Sequence, residues 1–526
     1  MTLPLEINGT EVMPRISDYV DRFAAERPEA IAVVCGDRRV SYGNLREQVD
    51  IAASGLLSHG IGHGDRVAML APPSLEFWIV FLATAKVGAI WVGLNPRYSL
   101  PECNYVLSDA EPKLLIVARS DGDPIPDSLV ANIAEDNPEL EILQTPDPDA
   151  GDEPLGALSA LANDVDEDAV VAAASQVNTT DPCLIVYTSG STGQPKGALL
   201  THYGLSFGAT MQTQHFGVDD PSLVVAFPIN HVASVADTCA TTLVSGGKIV
   251  FLPRFDPVET VNATRDEGCT LMGGVPTMYQ MQLAAPGFSM SDLDGVELML
   301  WGGAAMPADI VTRLKDSGAR LITAYGMTET ATHITYTDKN ASLDELTTSV
   351  GKPDANCQIR IDGDPDESGI VSGEVQVKAD FLLAGYWRRE AATRDAFTGD
   401  GWFRTGDLGY FRTDGNLCLI GRLSEMFKSG GYNVYPREIE TVLEAHPDVE
   451  LAAVVARPDP LYQEVGSAWV QRRRDSAIDA DGLNAWCRER LANYKIPKEF
   501  RIVDDLPLLP VGKVDKTALK AATTES

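Results

Sequence analysis

The sequence predicts an α/β protein built in layers. Three observations carry this. Short apolar runs of strand length alternate with segments of helical period along most of the chain. The motif-bearing loops follow the ends of those apolar runs, where α/β folds place their sites. The chain has 526 residues, 44% hydrophobic and 22% charged, which is enough for a large core and for roughly three to four domain-sized units.

The elements follow in order. Ile16, Tyr19, Val20 and Phe23 fall at helical spacing within 14–27. Apolar residues on both sides of Gly36-Asp37 predict a hairpin. A helix over 43–58 ends near Gly60, and strands follow at 67–70, 89–93 and 114–117. The apolar stretch 77–94 is interrupted by Lys86 and Gly88, so it reads as a buried helix and strand, not a membrane span. Residues 145–170 are rich in Asp, Pro, Glu and Gly and read as a solvated insertion. Beyond them the pattern predicts strands at 223–227, 248–252, 271–274, 296–300 and 321–324, with helices at 202–216, 256–267 and 307–317 between them. A helix over 438–446 and a strand over 451–456 come later.

Composition excludes several classes. The net charge of −33 makes a poor nucleic-acid binder, and Arg472-Arg473-Arg474 is an isolated basic triplet. Eight dispersed cysteines without a C-x-x-C pair read as reduced thiols in a cytoplasmic setting, with neither a disulfide frame nor a zinc site. No signal peptide, lipidation signal or integral membrane segment is visible. The oligomeric state leaves no trace in the sequence, and a homodimer is compatible with it.

The chemistry starts at Tyr187-Thr188-Ser189-Gly190-Ser191-Thr192-Gly193-Gln194-Pro195-Lys196-Gly197, behind the apolar run Leu184-Ile185-Val186. Glycines let the backbone approach a ligand closely. Successive N–H groups, hydroxyls and a lysine make a phosphate cradle. The spacing is not that of G-x-x-x-x-G-K-[ST]. Further candidates are His231, Trp301-Gly302-Gly303-Ala304, Tyr325-Gly326-Met327-Thr328-Glu329, Arg404-Thr405-Gly406-Asp407, the stretch 421–440, and Lys513 after Val511-Gly512. A Thr-Glu pair at a strand end offers a phosphate hydroxyl and a hard-oxygen metal ligand. One ionised Asp can accept from two ribose hydroxyls.

These motifs, in this order over essentially the whole chain, resemble the adenylate-forming superfamily of acyl-CoA synthetases, carrier-protein adenylation domains and firefly-type luciferases. The resemblance implies a large N-terminal multi-layer α/β domain (1–421), a hinge (422–425) and a small mobile α+β C-terminal domain (426–526). It implies that Thr188, Ser189, Gly190, Ser191, Thr192, Gly193 and Lys196 hold the phosphates of ATP. Gly302, Gly303, Ala304 and Tyr325 would hold adenine, Gly326 and Met327 would belong to the same nucleotide site, Asp407 would hold the ribose, Arg422 the ribose and phosphate, Thr328 a phosphate, and Glu329 a Mg²⁺ ion. Lys513 is the implied catalytic lysine, acting with Lys196, Thr328 and Glu329. Lys428, Gly430 and Gly431 would line the coenzyme A channel. The hinge position is Ser424, where relatives usually carry Asp or Lys.

His231, Val232, Met272, Trp301, Met327 and His333 are the expected acyl pocket, apolar except for its two histidines. A histidine at 231, where amino-acid-activating relatives typically carry a neighbouring Asp, speaks against an amino-acid substrate. The implied reaction joins an apolar carboxylic acid (medium-chain, alicyclic or aromatic) to coenzyme A through acyl-AMP, with release of AMP and pyrophosphate. Three other readings stay open: a free-standing enzyme that loads a carrier protein, a luciferase-type oxygenase, and a nucleotide-binding relative without catalysis.

Overall fold

The computed structural model describes the chain except residues 1, 2, 4, 120–124, 146–166, 189–193, 366–368, 475, 510–512, 525 and 526. A seven-stranded sheet organises the first third. Its order is Gly385–Tyr386, Lys196–Thr201, Pro182–Thr188, Ile90–Leu94, Arg66–Leu70, Leu114–Val117 and Glu141–Gln144. The five strands from Pro182–Thr188 onward run parallel, and Lys196–Thr201 returns antiparallel against Pro182–Thr188. Parallel strands are covered on both faces, so they read as continuous apolar runs.

The apolar stretch near residue 80 is the helix Leu75–Lys86 followed by Ile90–Leu94, as its length predicted. Phe77, Trp78, Phe81 and Trp91 are fully buried there and touch ring to ring. Each such side chain contributes about 1.5–3 kcal/mol by burial, which makes this sheet a rigid base. Lys86 ends the helix and is neutralised by Asp21 and Asp50.

Ser222–Val225, Lys248–Phe251, Ile31–Cys35 and Arg38–Ser41 form a second sheet, its last pair being the expected hairpin. Leu271–Gly274, Leu298–Trp301, Arg320–Gly326, His333–Tyr336 and Lys352–Pro353 form a third. The helix His202–Phe216 starts at Thr201, whose hydroxyl caps it, and ends on left-handed Gly217. An antiparallel sheet of Gln358–Pro365, Val371–Lys378, Phe403–Phe411 and Leu417–Arg422 follows. The last sheet combines Phe427–Ser429, Tyr432–Val434, Val449–Asp459, Gln463–Arg472 and Glu499–Val503.

Two readings of the sequence need correction. Most of the expected insertion lies outside the described residues, but its end belongs to the helix Glu167–Ser175, which buries Val170 and Ala174. Asp407 does not end a strand: it lies within Phe403–Phe411, in the irregular stretch between Arg404 and Leu408 that also holds Gly406 at φ +70°.

The apolar core divides along the chain. The cluster of Phe427, Val434, Ile439, Leu443, Val454 and Ala468 takes all its members from Phe427 onward. A neighbouring cluster of Ala453, Val455, Leu506 and Leu519 does the same. All eight cysteines are free, and seven are buried. Among the described residues no helix is long and apolar enough to cross a membrane.

Candidate active site

The loop 188–196 leaves one strand and enters the next. Lys196 pairs in register with Thr188, so the two ends of the loop are clamped together. The hydroxyl of Tyr105 donates to the carbonyl of Pro195 (2.6 Å), fixing the exit. Ser189, Gly190, Ser191, Thr192 and Gly193 lie outside the described residues.

Lys196 Nζ lies 5.3 Å above the ring of Tyr386, a cation–π contact that steers a long side chain. The Tyr386 hydroxyl donates to Glu329 Oε1 (2.9 Å), and Thr188 Oγ1 lies 3.5 Å from the same oxygen. Glu329 itself is buried. This carboxylate and the lysine therefore face one place. Among the described residues no group of three or more His, Cys, Asp or Glu gathers as a ready metal cage. One carboxylate beside a phosphate loop is the donor set that suits Mg²⁺, which takes most of its ligands from water and substrate phosphates. Tyr386 sits far along the chain, in the two-residue strand Gly385–Tyr386. Only the fold brings it to Glu329.

Gly326 ends the strand that carries Tyr325. A Cβ there would stand 2.4 Å from the Thr332 carbonyl oxygen and 2.6 Å from His333 Cα, so only glycine admits this close approach of two backbones. Tyr325 is buried, and its hydroxyl donates to Asp407 Oδ2 (2.6 Å). Burial and the Asp407 carboxylate together push the phenol well above its ordinary pKa, so it stays a donor. Asp407 Oδ1 lies 3.0 Å from Arg422 Nε, its cross-strand partner. Each carboxylate oxygen keeps a second lone pair for a further donor. Thr328 is buried in the 3₁₀ turn Thr328–Thr330, and Met327, just before it, is partly buried.

Lys513 arrives from the C-terminal end of the chain. A Cβ on Gly303, at φ +80°, would stand 3.0 Å from Lys513 Cε and 3.4 Å from Nζ. A side chain at 303 would thus meet both a strained backbone and the lysine. Lys513 is exposed, although protein crowds its ammonium. That crowding, with the charge of Arg422, lowers its pKa, and Asp407 opposes the drop.

Lys513 also acts on His231. Burial and the lysine charge hold that imidazole down at about 4, so it is neutral at pH 7. Its Nδ1 accepts from the Ala233 N–H (3.1 Å), which leaves the proton on Nε2. His231 stands at the mouth of the π-helix Ala233–Ala240. Val232, beside it, is buried.

The other acyl-pocket candidates separate. His333 approaches the position that a Gly302 Cβ would take (3.1 Å from Nε2). Met272 and Trp301 pack into a closed cluster with Tyr279, Met299 and Met306, and Trp301 meets Tyr279 edge-on. Two polar neighbours escaped the sequence reading: Gln212 on the helix His202–Phe216 and Asp237 on the π-helix. No motif flags either one.

Beyond the site, Gly430 (φ +58°) and Gly431 (φ +89°) form the two-residue turn between Phe427–Ser429 and Tyr432–Val434, a geometry that selects glycine by itself. Lys428 sits exposed on that hairpin. Ser424 lies in the turn after Arg422, and the Leu423 N–H donates to the Gly406 carbonyl (2.8 Å). A cavity of about 320 Å³ opens between Tyr410, Ile420, Tyr435 and Lys495, and shares no lining residue with the predicted site.

Residues 20–387 match the AMP-binding enzyme family, and residues 438–513 match the AMP-binding enzyme C-terminal domain. The chain belongs to the AMP-binding enzyme family. This is the adenylate-forming superfamily. It is 36% identical to a feruloyl-CoA synthase of an Amycolatopsis species, over 94% of this chain and 96% of the relative. It is 33% identical to an indoleacetate–CoA ligase of Aromatoleum aromaticum, over 95% and 96%. Among solved structures it is similar to ATP-bound MatB from Rhodopseudomonas palustris, at 29% identity over 96% of this chain and 98% of that one, with a TM-score of 0.81. The apo form of the same enzyme gives 0.73 at 29% identity, over 97% and 98%.

Proposed function

We propose that this chain is an ATP-dependent, AMP-forming acid–CoA ligase acting on an acid with an apolar or aromatic acyl portion. The observation that carries the reading is Lys513. A lysine from the C-terminal part of the chain stands over Gly303, within electrostatic reach of Asp407, Arg422 and His231. The higher similarity to the ATP-bound than to the apo form of one relative supports the same arrangement.

In the first half-reaction a carboxylate oxygen attacks the α-phosphorus of ATP, and the bond to the β-phosphate bridging oxygen breaks. Both reactants are anions, so the barrier is electrostatic and positional. Lys513 holds the carboxylate and α-phosphate oxygens together. Lys196, Thr188 and the loop residues 189–193 receive the departing pyrophosphate. Tyr325 with Gly302, Gly303, Ala304, Gly326 and Met327 holds adenine, Asp407 and Arg422 the ribose, and Thr328 a phosphate. Glu329, oriented by Tyr386, would hold Mg²⁺, which neutralises phosphate charge when bound.

In the second half-reaction the coenzyme A thiol loses its proton and attacks the acyl carbonyl, and AMP leaves. Lys513 reaches the site from the C-terminal part of the chain, beside Gly303, so we assign it to the first step alone. A rotation of residues 426–526 against 1–421 about 422–425 would bring Lys428, Gly430 and Gly431 to the thiol channel. The separate cores on either side of Phe427 support that division. His231, Val232, Met327 and His333 line the acyl end, backed by Met272 and Trp301. The aryl acids named for two relatives favour a ring-bearing substrate.

The test is AMP and pyrophosphate release against fatty, alicyclic and aromatic acids, with and without coenzyme A. Coenzyme A-dependent AMP release that follows an acid of this class is the expected result. Pyrophosphate release indifferent to coenzyme A would redirect the reading to carrier loading.

A further inference from the structure

Beyond His333 the acyl end of the site is polar. The Gln212 amide fixes the arrangement. Its Nε2 donates to the Asp237 carbonyl (2.7 Å) and to Thr241 Oγ1 (3.1 Å), so its Oε1 must face the other way as an acceptor. Thr332 Oγ1 donates to that oxygen (3.0 Å), and His333 Nδ1 lies 2.8 Å from it. With Nδ1 donating to that oxygen, the His333 ring in its neutral form presents Nε2, on the Gly302 side, as a bare acceptor.

Asp237 completes the group. Its Oδ1 lies 3.7 Å from His333 Nδ1, too far for a hydrogen bond, and is a buried oxygen without a partner. Among the described residues no lysine or arginine forms an ion pair with it. Burial raises its pKa, and the nearness of His333 and Thr332 lowers it. Each side chain keeps only a sliver of exposed surface, 12% for His333 and 14% for Asp237. The order along the site is Lys513, Gly303, Gly302, His333, Asp237. The pair thus lies one imidazole beyond the reacting end.

Two acceptors with unused lone pairs in a desolvated place are costly unless something donates to them. We propose that Asp237 and His333 select acids whose acyl end carries a hydrogen-bond donor, either a hydroxyl or an amine. This rests on the ligase reading above and narrows it. A plain hydrocarbon end would leave both acceptors unpaired. A hydroxyl or amine would pair them, and the loss on removing that donor is the larger because the acceptor oxygen is buried.

The test uses cinnamates and phenylacetates, each as the parent acid and as its hydroxy and amino derivatives at every ring position. Coenzyme A-dependent AMP release is measured for the wild type, Asp237→Asn and Asp237→Leu, with folding checked by thermal unfolding. The best donor-bearing acid is expected to exceed its parent by about 10–100-fold in kcat/KM. Asp237→Leu should collapse that ratio to within about threefold. Asp237→Asn separates the two sources: it keeps part of a preference for a hydroxyl and loses one for a charged amine. If the leucine variant does not fold, the asparagine variant carries the comparison. Parents as good as their derivatives in the wild type, or a ratio unmoved in a folded variant, overturns the proposal and leaves the ligase standing. No coenzyme A-dependent AMP from any acid, parents included, overturns the ligase reading itself and this one with it.

Discussion

Lys196 and Lys513 serve one small space from opposite ends of the chain, and they are held in opposite ways. Lys196 begins a strand of the seven-stranded sheet, is locked in register with Thr188, and lies over the Tyr386 ring. Lys513 stands on a C-terminal segment whose own anchor is three residues further on, where Lys516 pairs with Glu425 and with Glu440 (2.8 Å). The first charge is built into the largest core of the molecule. The second is delivered by a part with a core of its own. A charge built in can serve every step, whereas a delivered charge can be withdrawn when the next step needs its place.

The strongest way to break this contrast is Lys513→Ala. Acyl-adenylate formation is expected to fall by about 10²–10³-fold or more, while thioester formation from supplied acyl-adenylate stays within about threefold of wild type. Single-turnover pyrophosphate release and a thioester assay measure the two halves. Equal losses in both would erase the distinction. Lys196→Ala should cost less, about 10–100-fold in adenylation, because under the proposed reading the rest of the phosphate motif, Thr188 included, stays in place. Its effect should appear partly as a raised KM for ATP. A Lys196 loss larger than that of Lys513 would invert the ranking.

The smallest expected effect sharpens the picture by pH. The working form of Lys513 is charged, and its pKa is lowered from 10.5 by crowding and by Arg422. Adenylation should therefore be complete at lower pH and decline as pH rises through that lowered value, earlier than an ordinary lysine would decline. In kcat/KM, which reports the free enzyme, Lys513→Arg should move this alkaline limb upward. A limb that ignores the arginine variant would assign the titration elsewhere.

Much of the fold was readable in advance because its elements obey local rules. The helix His202–Phe216 and the strand Leu271–Gly274 have the predicted bounds, one set by a threonine cap and a terminal glycine, the other by a run of strand length. The signature residues were readable as a motif array, and the fold brings Tyr325, Asp407, Arg422, Gly303 and Lys513 within reach of one another. What was not readable depends on distance along the chain. Tyr386 reaches Glu329 across 57 residues, and Gln212 reaches His333 across 121. Asp237 was hidden for a different reason. It lies on a π-helix, whose wider turn shifts which residues share a face, so helical periodicity points at the wrong side chains. Gly430-Gly431 shows the converse, since the turn geometry accounts for both glycines without any ligand.

The split core has a consequence for how this molecule comes apart when heated. No side chain of the clusters around Phe427 and Leu506 comes from earlier in the chain. The side-chain bonds that cross to the other part include polar ones at the surface, such as Arg473 to Asp309 at 3.2 Å, and an exposed pair of that kind is worth about 0–1 kcal/mol. Cooperative melting needs a shared interior, and here, among the described residues, no apolar cluster spans both sides of Phe427. A calorimeter should therefore register two endotherms with separate midpoints, and a nucleotide that bridges Gly303 and Lys513 should draw them together.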